Sequence, residues 1–263
     1  MTAASAGGDR RAFRANWPAR AGLLALVLYV LYAGQILDLS WDRFVFGLDQ
    51  GGRFLSRLVP PDFTRWSLLL DGLLESLQIA IIATVLGVAV SLPVGLCAAR
   101  NLMPWWVSTP VRAFIAVCRS FHPIIVAIVF VKAIGFGALA GILALVVASI
   151  GFVAKLFAEA IEEISMKQVE AVRATGASFA NVVTMGVLPQ VLARFIGFAT
   201  YQLDSNLRNS TMVGIVGGGG IGGTLFAAFQ RFDYDFLCAI LIAIIALIML
   251  GELLATRLRA IFQ

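Results

Sequence analysis

Charged residues are scarce in this sequence. Asp, Glu, Lys and Arg make up 13% of its 263 residues, whereas 60% are hydrophobic. Soluble domains carry about a quarter charged residues. So few polar side chains cannot cover a globule of this length in water. The composition therefore excludes an ordinary soluble protein and indicates a chain whose solvent is the lipid bilayer.

Side chains that ligate metals are scarce as well. His122 is the one histidine, and Cys97, Cys118 and Cys238 lie apart from one another in apolar runs. These positions have neither the spacing of a zinc site nor that of a disulfide framework. We interpret the cysteines as small core residues and His122 as a hydrogen-bonded core residue, and we predict no metal site.

Basic residues exceed acidic ones, and the formal net charge is +5. They are dispersed at the ends of apolar runs, which argues against nucleic-acid binding and favours membrane topology and contact with lipid. If the tail of residues 1–20 lies in the cytoplasm, the charged segment 158–190 lies there too, whereas the outer segments mix arginine with aspartate. Both termini are then predicted to be cytoplasmic.

Six apolar runs are long enough to cross a membrane, since a spanning helix needs about 20 apolar residues. They lack the alternation of a barrel strand, which predicts helices. The runs are Ala21–Leu39, Ser76–Ala98, Val111–Val131, Ala138–Phe157, Val191–Leu207 and Phe236–Ala255. The sequence thus predicts an all-α polytopic membrane protein. A first helix (21–39) precedes an outer amphipathic segment (40–72), and a core (73–258) has five membrane helices and the cytoplasmic loop 158–190.

The loop carries the strongest local pattern. A short helix is predicted to end at a glycine in the left-handed conformation. A second amphipathic piece, Ser178–Val187, follows it, and a proline then opens the fifth span. The result is a rigid elbow between two membrane helices, suited to transmit a push from a partner protein. The positions that carry this pattern are Glu170, Ala171, Arg173, Ala174, Gly176, Leu188 and Pro189.

This stretch resembles the EAA loop of binding-protein-dependent ABC importer permeases. The loop reads Glu-Ala-Ala, three residues, Gly, nine residues, Ile, any residue, Leu-Pro. The matching positions are Glu170, Ala171, Gly176, Leu188 and Pro189, while Val172 and Gly186 depart from the pattern. The resemblance implies that the loop forms a coupling helix, which docks in a cleft on an ATPase subunit.

The resemblance extends from Leu69 to the C-terminus, and the segments Glu75–Ala80, Leu92–Pro93, Ala98–Asn101 and Asn206–Thr211 look like phosphonate permeases. It implies the type I ABC importer permease fold in a bacterial cytoplasmic (inner) membrane. It further implies a second permease chain, identical or similar, an extracytoplasmic substrate-binding protein, and two ATPase subunits that bind ATP and Mg. The chain itself is then a transport subunit without a cofactor, not an enzyme. The implied cargo is phosphonate, with phosphate, phosphite or another small solute as alternatives.

A glycine run, which includes Gly217, Gly218, Gly219 and Gly220, satisfies the pattern G-x-G-x-x-G. No βαβ unit surrounds it, and Gly223 stands where a P-loop has its lysine, so a nucleotide site is excluded. Two interpretations stay open. The run is a tight turn that lets helices pack closely, or it is a flexible outer gate or pathway lining whose N–H groups meet an anion.

Two arginines are candidates for contact with the cargo. A centred arginine costs about 3 kcal/mol on insertion scales. We therefore expect Arg119, inside the third span, to face protein or water, and we favour an inter-helix ion pair or carbonyl bond over an anion site. Arg208 is the preferred pathway candidate, because its neighbours donate hydrogen bonds that suit a phosphonate group. Its alternative role is snorkelling to the interface. Those neighbours are Asn206, Asn209, Ser210 and Thr211.

Other classes of membrane protein fit less well. An ion-coupled secondary transporter needs carboxylates near the membrane centre, and the predicted spans hold few. An intramembrane enzyme needs clustered catalytic groups, which one histidine and one arginine do not supply. A scaffold protein would not need the elbow.

Overall fold

The computed structural model describes residues 17–37 and 40–262, which are helical apart from their connections. The predicted tail therefore lies outside the described residues up to position 16, and residues 38–39, the predicted end of the first span, lie outside them too. The helices are α1 Trp17–Ile36, α2 Trp41–Arg57, α3 Trp66–Ala98, α4 Trp105–Ser120, α5 Pro123–Ile134, α6 Ala138–Glu162, α7 Met166–Ala174, α8 Phe179–Asn181, a π-helix Val182–Val187, α9 Leu188–Ile215, α10 Ile221–Gln230 and α11 Tyr234–Phe262. The all-α prediction is confirmed.

The chain divides into two units, residues 1–56 and 57–263. In the first unit α1 is apolar, and α2 buries none of its residues. The amphipathic segment predicted over 40–72 coincides with α2 over its first part. The predicted end of this segment at residue 72 was wrong, because residues 66–72 already form the first turns of α3.

Among the described residues, four helices are long and apolar enough to cross a membrane, and two bent pairs raise the number to six. The predicted boundaries were too narrow. The second span begins at Trp66 and not at Ser76, and the fifth continues to Ile215 and not to Leu207. Polar residues do not end the fifth span, because their side chains form hydrogen bonds within the helix. The Ser210 hydroxyl, for example, donates to the Leu207 carbonyl at 2.8 Å.

The third span is not the single helix predicted over Val111–Val131. The chain bends by 90° between α4 and α5. Pro123 is the cause, since a residue before proline avoids the helical conformation and His122 is extended at ψ 141°. His122 is exposed, and its Nδ1 accepts a hydrogen bond from the Ile124 N–H. The interpretation of His122 as a core residue was therefore wrong.

Helices α3, α6 and α9 form the centre of the second unit. Ile79 of α3, Leu145 of α6 and Val213 of α9 are almost fully buried in one cluster. The helices approach closely through small residues, because a Cβ added to Gly87 of α3 would overlap the Ser149 side chain of α6. Small residues at helix contacts are the usual means of close packing in membranes.

The beginning of α3 is tied to α11 by charge. The guanidinium of Arg65 bonds the Asp233 carboxylate at 2.7 Å and lies 3.8 Å over the Phe236 ring. The Asp62 N–H donates to the Asp235 carbonyl at 3.0 Å. Hydrogen bonds from the side chain and the backbone N–H of Thr64 lower the pKa of the Asp62 carboxyl, so it remains ionised at neutral pH.

The glycine run forms the turn between α9 and α10. Gly219 and Gly220 have φ of +80° and +78°, a region that favours glycine. Neighbouring helices hold the turn, since the Ile221 N–H donates to Ser76 Oγ at 2.9 Å and the Gly137 N–H to the Gly217 carbonyl at 2.9 Å. These contacts support the tight-turn interpretation.

Two adjacent glycines of α10 offer a matched test of this packing. A Cβ on Gly222 would overlap the Thr211 carbonyl oxygen of α9, whereas one on Gly223 would meet its nearest atom, the Gly214 carbonyl oxygen, at 3.6 Å. Gly222→Ala should lower the free energy of unfolding by about 1–3 kcal/mol. Gly223→Ala should leave it unchanged or raise it slightly, since alanine favours the helix. Thermal unfolding in detergent measures both, and equal midpoints would contradict the packing described.

Candidate functional site

The predicted elbow is present, but it is shorter than the segment 158–190. Residues 158–162 belong to α6 and residues 188–190 to α9, which leaves residues 163–187 as the elbow. Its first helix, α7, ends at Ala174, and Gly176 follows with φ of +77°. That is the left-handed glycine expected after a helix end. Pro189 lies in the first turn of α9, as predicted.

Side-chain contacts fasten the elbow to α9. Glu163 bonds Arg194 of α9 at 2.5 Å. The Gln190 side chain accepts from the Ser165 N–H at 3.0 Å and donates to the Gly186 carbonyl at 2.6 Å. These contacts join the start of the elbow to the start of α9, chiefly through Gln190, because both side chains of the Glu163–Arg194 pair are more than half exposed.

Gly186 explains one departure from the EAA pattern. A Cβ at this position would lie 3.3 Å from the Cα of Val169, which is fully buried in α7. The π-helix and α7 therefore pack backbone against backbone, where an isoleucine would hold them apart. Glycine at position 186 therefore allows the π-helix to lie close against α7.

The outward face of the elbow is exposed, including Glu170, Ala171, Arg173 and Ala174. Two large apolar side chains lie on the elbow as well, Phe179 at 51% and Met185 at 72% relative exposure. Sequence reasoning missed both, because it followed the EAA pattern, which does not include them. Apolar side chains exposed on a charged elbow indicate a surface for a partner.

A charge cluster joins the end of α6 to the end of α3 and to the middle of α4. The Glu162 carboxylate accepts from the Arg100 N–H at 2.8 Å and from the Arg112 guanidinium at 2.5 Å. Arg112 also donates to the Ala98 carbonyl at 2.8 Å. The end of α6, which leads into the elbow, is thus linked to α4, and α4 carries Arg119 about two helical turns after Arg112.

Arg119 borders a recess of about 290 Å³ between α4, α6 and α9, which we call the α4–α6–α9 recess. Four polar side chains of α9 line it: Tyr201, Gln202, Ser205 and Asn209. Among the described residues no hydrogen bond or ion pair engages the Arg119 guanidinium. Within the described part of the chain, the inter-helix ion pair or carbonyl bond that we favoured from the sequence is therefore absent, and the side chain lines the recess. Its stem packs on Gly151, where a Cβ would lie 2.8 Å from Arg119 Cγ.

Arg208 has a different setting. It pairs with Asp204 one turn earlier on α9, and the Asp204 side chain is 7% exposed against 45% for Arg208. Of the four neighbours expected to serve the anion, Asn206, Ser210 and Thr211 are buried, and only Asn209 lines the recess. The structure therefore divides the predicted set: Asn209 lies with Arg119, and Arg208 lies with Asp204.

Asn206 joins the three central helices. Its Nδ2 donates to Thr84 Oγ1 of α3 and to Ser149 Oγ of α6, both at 2.9 Å. Its Oδ1 accepts from Gln202 Nε2 at 2.9 Å. Each hydroxyl in turn donates to a carbonyl of its own helix. Sequence reasoning missed this network, since isolated polar residues in apolar runs do not indicate their partners.

An elbow between two membrane helices, joined through α9 to a polar recess, is the geometry expected of an importer permease. A family model described as "Binding-protein-dependent transport system inner membrane component" matches residues 91–263, more than half of the chain. The chain belongs to this family. It is a transport subunit, and in homologous systems a separate subunit is the ATPase.

Two relatives with similar sequences are also named as permease proteins. The phosphite transport system permease protein PtxC of Stutzerimonas stutzeri is 37% identical over 259 residues, which cover 96% of this chain and 93% of that protein. The phosphate-import permease protein PhnE of Mycolicibacterium smegmatis is 40% identical over 210 residues. That match covers 78% of this chain but 39% of the relative, so the chain spans well under half of the longer protein.

A solved structure agrees with the fold. A chain of the MetNI methionine ABC transporter in its inward-facing conformation matches 77% of this chain and 99% of its own length. The TM-score is 0.65 and the sequence identity is 26%. The importer permease fold expected from the EAA resemblance is confirmed.

The Asn206 network can be tested by its effect on stability. Asn206→Leu removes the amide that joins α3, α6 and α9 and should lower the free energy of unfolding by about 1–2 kcal/mol. Gln78→Leu, at an exposed amide of α3, is the matched control and should not destabilise the protein. Chemical unfolding in detergent measures both variants. An Asn206→Leu protein as stable as the control would show that the network does not hold the helices together.

Proposed function

We propose that this chain is the permease subunit of an ATP-driven importer in a bacterial cytoplasmic membrane, with both termini in the cytoplasm. Its cargo is phosphonate, or the related anions phosphate and phosphite. The elbow of residues 163–187 carries the proposal, because it presents an exposed helix on a rigid mount. The cargo class is supported by the resemblance to phosphonate permeases and by the relatives that carry phosphite and phosphate in their names.

Two ATPase subunits hold ATP and Mg, and each docks on an elbow. One elbow belongs to this chain and the other to a second permease chain, identical or similar. Glu170 and Arg173 supply charge at the docking face, and Phe179 and Met185 supply apolar contact. Closure of the ATPase dimer draws the elbows together, and a substrate-binding protein delivers cargo from outside. This is a rigid-body form of alternating access.

Helix α9 transmits the displacement of the elbow in this mechanism. It begins at the elbow with Leu188 and carries Asn209 in the α4–α6–α9 recess. At 1.5 Å per residue, about 30 Å of helix separates the two. The bond between Glu163 and Arg194 and those of Gln190 fix the elbow to this helix. A displacement of the elbow therefore reaches the recess without an intervening hinge.

The recess is the part of the pathway that contacts the cargo. Arg119 supplies a positive charge that no other described residue pairs with, and Tyr201, Ser205 and Asn209 add donors. Donors of this kind around one cation suit a small oxyanion. Arg208 is less available, because it already neutralises the buried Asp204.

Charge reversal on the elbow tests the coupling. Glu170→Lys should reduce the ATP hydrolysis stimulated by the loaded binding protein about tenfold, because it places a like charge in a docking cleft. Glu252→Lys, at an exposed position of α11, is the control. Hydrolysis is measured on the reconstituted complex with binding protein loaded with methylphosphonate, phosphate or phosphite. Normal assembly and stimulation in the Glu170 variant would refute the docking role.

The role of Arg119 is tested by keeping or removing its charge. Arg119→Gln should reduce the uptake rate about tenfold, and Arg119→Lys should retain most of it, because lysine still binds a phosphate group as a point charge. Uptake of radiolabelled phosphate into proteoliposomes measures both variants at equal protein content. If both variants transport equally, whether fast or slowly, the charge at this position does not serve the cargo.

A further inference from the structure

A second recess, of about 260 Å³, lies between α3, α4 and α6. We call it the α3–α4–α6 recess. Three cationic side chains line it, Arg112 and Arg119 of α4 and Lys155 of α6. Nothing in the sequence pattern had connected these residues. Three cations around one small recess repel one another unless counter-charge is present.

The internal counter-charge is incomplete. Arg112 is fixed, since it bonds Glu162 at 2.5 Å and the Ala98 carbonyl at 2.8 Å. Lys155 lies 3.5 Å from Glu159, and both side chains are more than two-fifths exposed, so this pair is weak. Arg119 has no partner among the described residues. The recess therefore combines one cation in a fixed orientation with two that are available to a ligand.

We propose that the α3–α4–α6 recess is a second binding site for an oxyanion of the phosphate class. The proposal rests on the function proposed above and adds a site to it. Arg119 lines both recesses, so an anion can pass from one to the other while remaining beside the same guanidinium. Lys155 lies one helical turn beyond Gly151, the residue on which Arg119 packs, and about 6 Å closer to the elbow.

Two weak sites in series suit transport better than one tight site. A single strong anion site beside Arg119 would hold the cargo, whereas a neighbouring site of similar strength lets it leave by steps. The direction also fits, because α6 runs from the turn at the glycine run towards the elbow. In this scheme Lys155 and Arg112 receive the anion on the elbow side of Arg119.

The headgroup of an anionic phospholipid offers the same phosphate chemistry, so the experiment has two arms. The full chain, assembled with its ATPase, is placed in nanodiscs of phosphatidylcholine alone or of phosphatidylcholine mixed with phosphatidylglycerol. Equilibrium binding of radiolabelled inorganic phosphate is measured in both kinds of disc. In the mixed discs native mass spectrometry also counts retained phosphatidylglycerol.

Lys155→Gln should weaken phosphate binding in neutral discs about fivefold. Lys132→Gln, at an exposed lysine of α5 outside the recess, should bind like the wild type. If phosphatidylglycerol instead suppresses phosphate binding, and Lys155→Gln loses the retained lipid, the headgroup is the ligand. If Lys155→Gln changes neither phosphate affinity nor lipid retention, the second site does not exist. Cargo-stimulated ATP hydrolysis of the wild type is measured in parallel, so failure of the second site is distinguished from failure of the proposed function.

Discussion

The close approach of α3, α6 and α9 is the constraint on which the rest of the structure depends. Lipid offers no hydrogen bonds, so a polar side chain that these helices bury is costly unless it finds a partner inside the protein. Asn206 meets this requirement for three helices at once, through Thr84 and Ser149. The contact is possible only because Gly87 leaves room for Ser149. Small residues set the distance between the helices, and the amide fixes their register.

This fixed centre is what makes a coupling mechanism possible. Helix α6 leads into the elbow and α9 leads out of it, and the same two helices border the recess that contains Arg119. Glu162 and Glu163, at the end of α6, bind Arg112 of α4 and Arg194 of α9. The elbow is thus linked to the helices that border this recess. Under the mechanism that we propose, a movement of the elbow reaches the recess through these helices.

Features that depend on local sequence patterns could be predicted. Hydrophobic runs located the membrane helices, and the Glu170–Pro189 pattern located the elbow and its left-handed glycine. The sequence also contains a signal that our prediction of a single third span missed. Pro123 predicts the break that separates α4 from α5. Tertiary partners could not be predicted. That Asp204 pairs with Arg208, that Arg119 has no partner within residues 17–37 and 40–262, and that Asn206 is buried all depend on which faces of α4 and α9 turn inward. Helical spacing alone does not decide that.

The central claim is that this chain forms a path for phosphorus oxyanions that another subunit drives with ATP. The most direct measurement is uptake of radiolabelled phosphonate, phosphate or phosphite by proteoliposomes that contain this chain, its ATPase and the binding protein. The account predicts accumulation that requires ATP and the ATPase subunit and is unaffected when the ion gradients across the membrane are collapsed. Uptake by the chain alone, driven by an ion gradient, would contradict it.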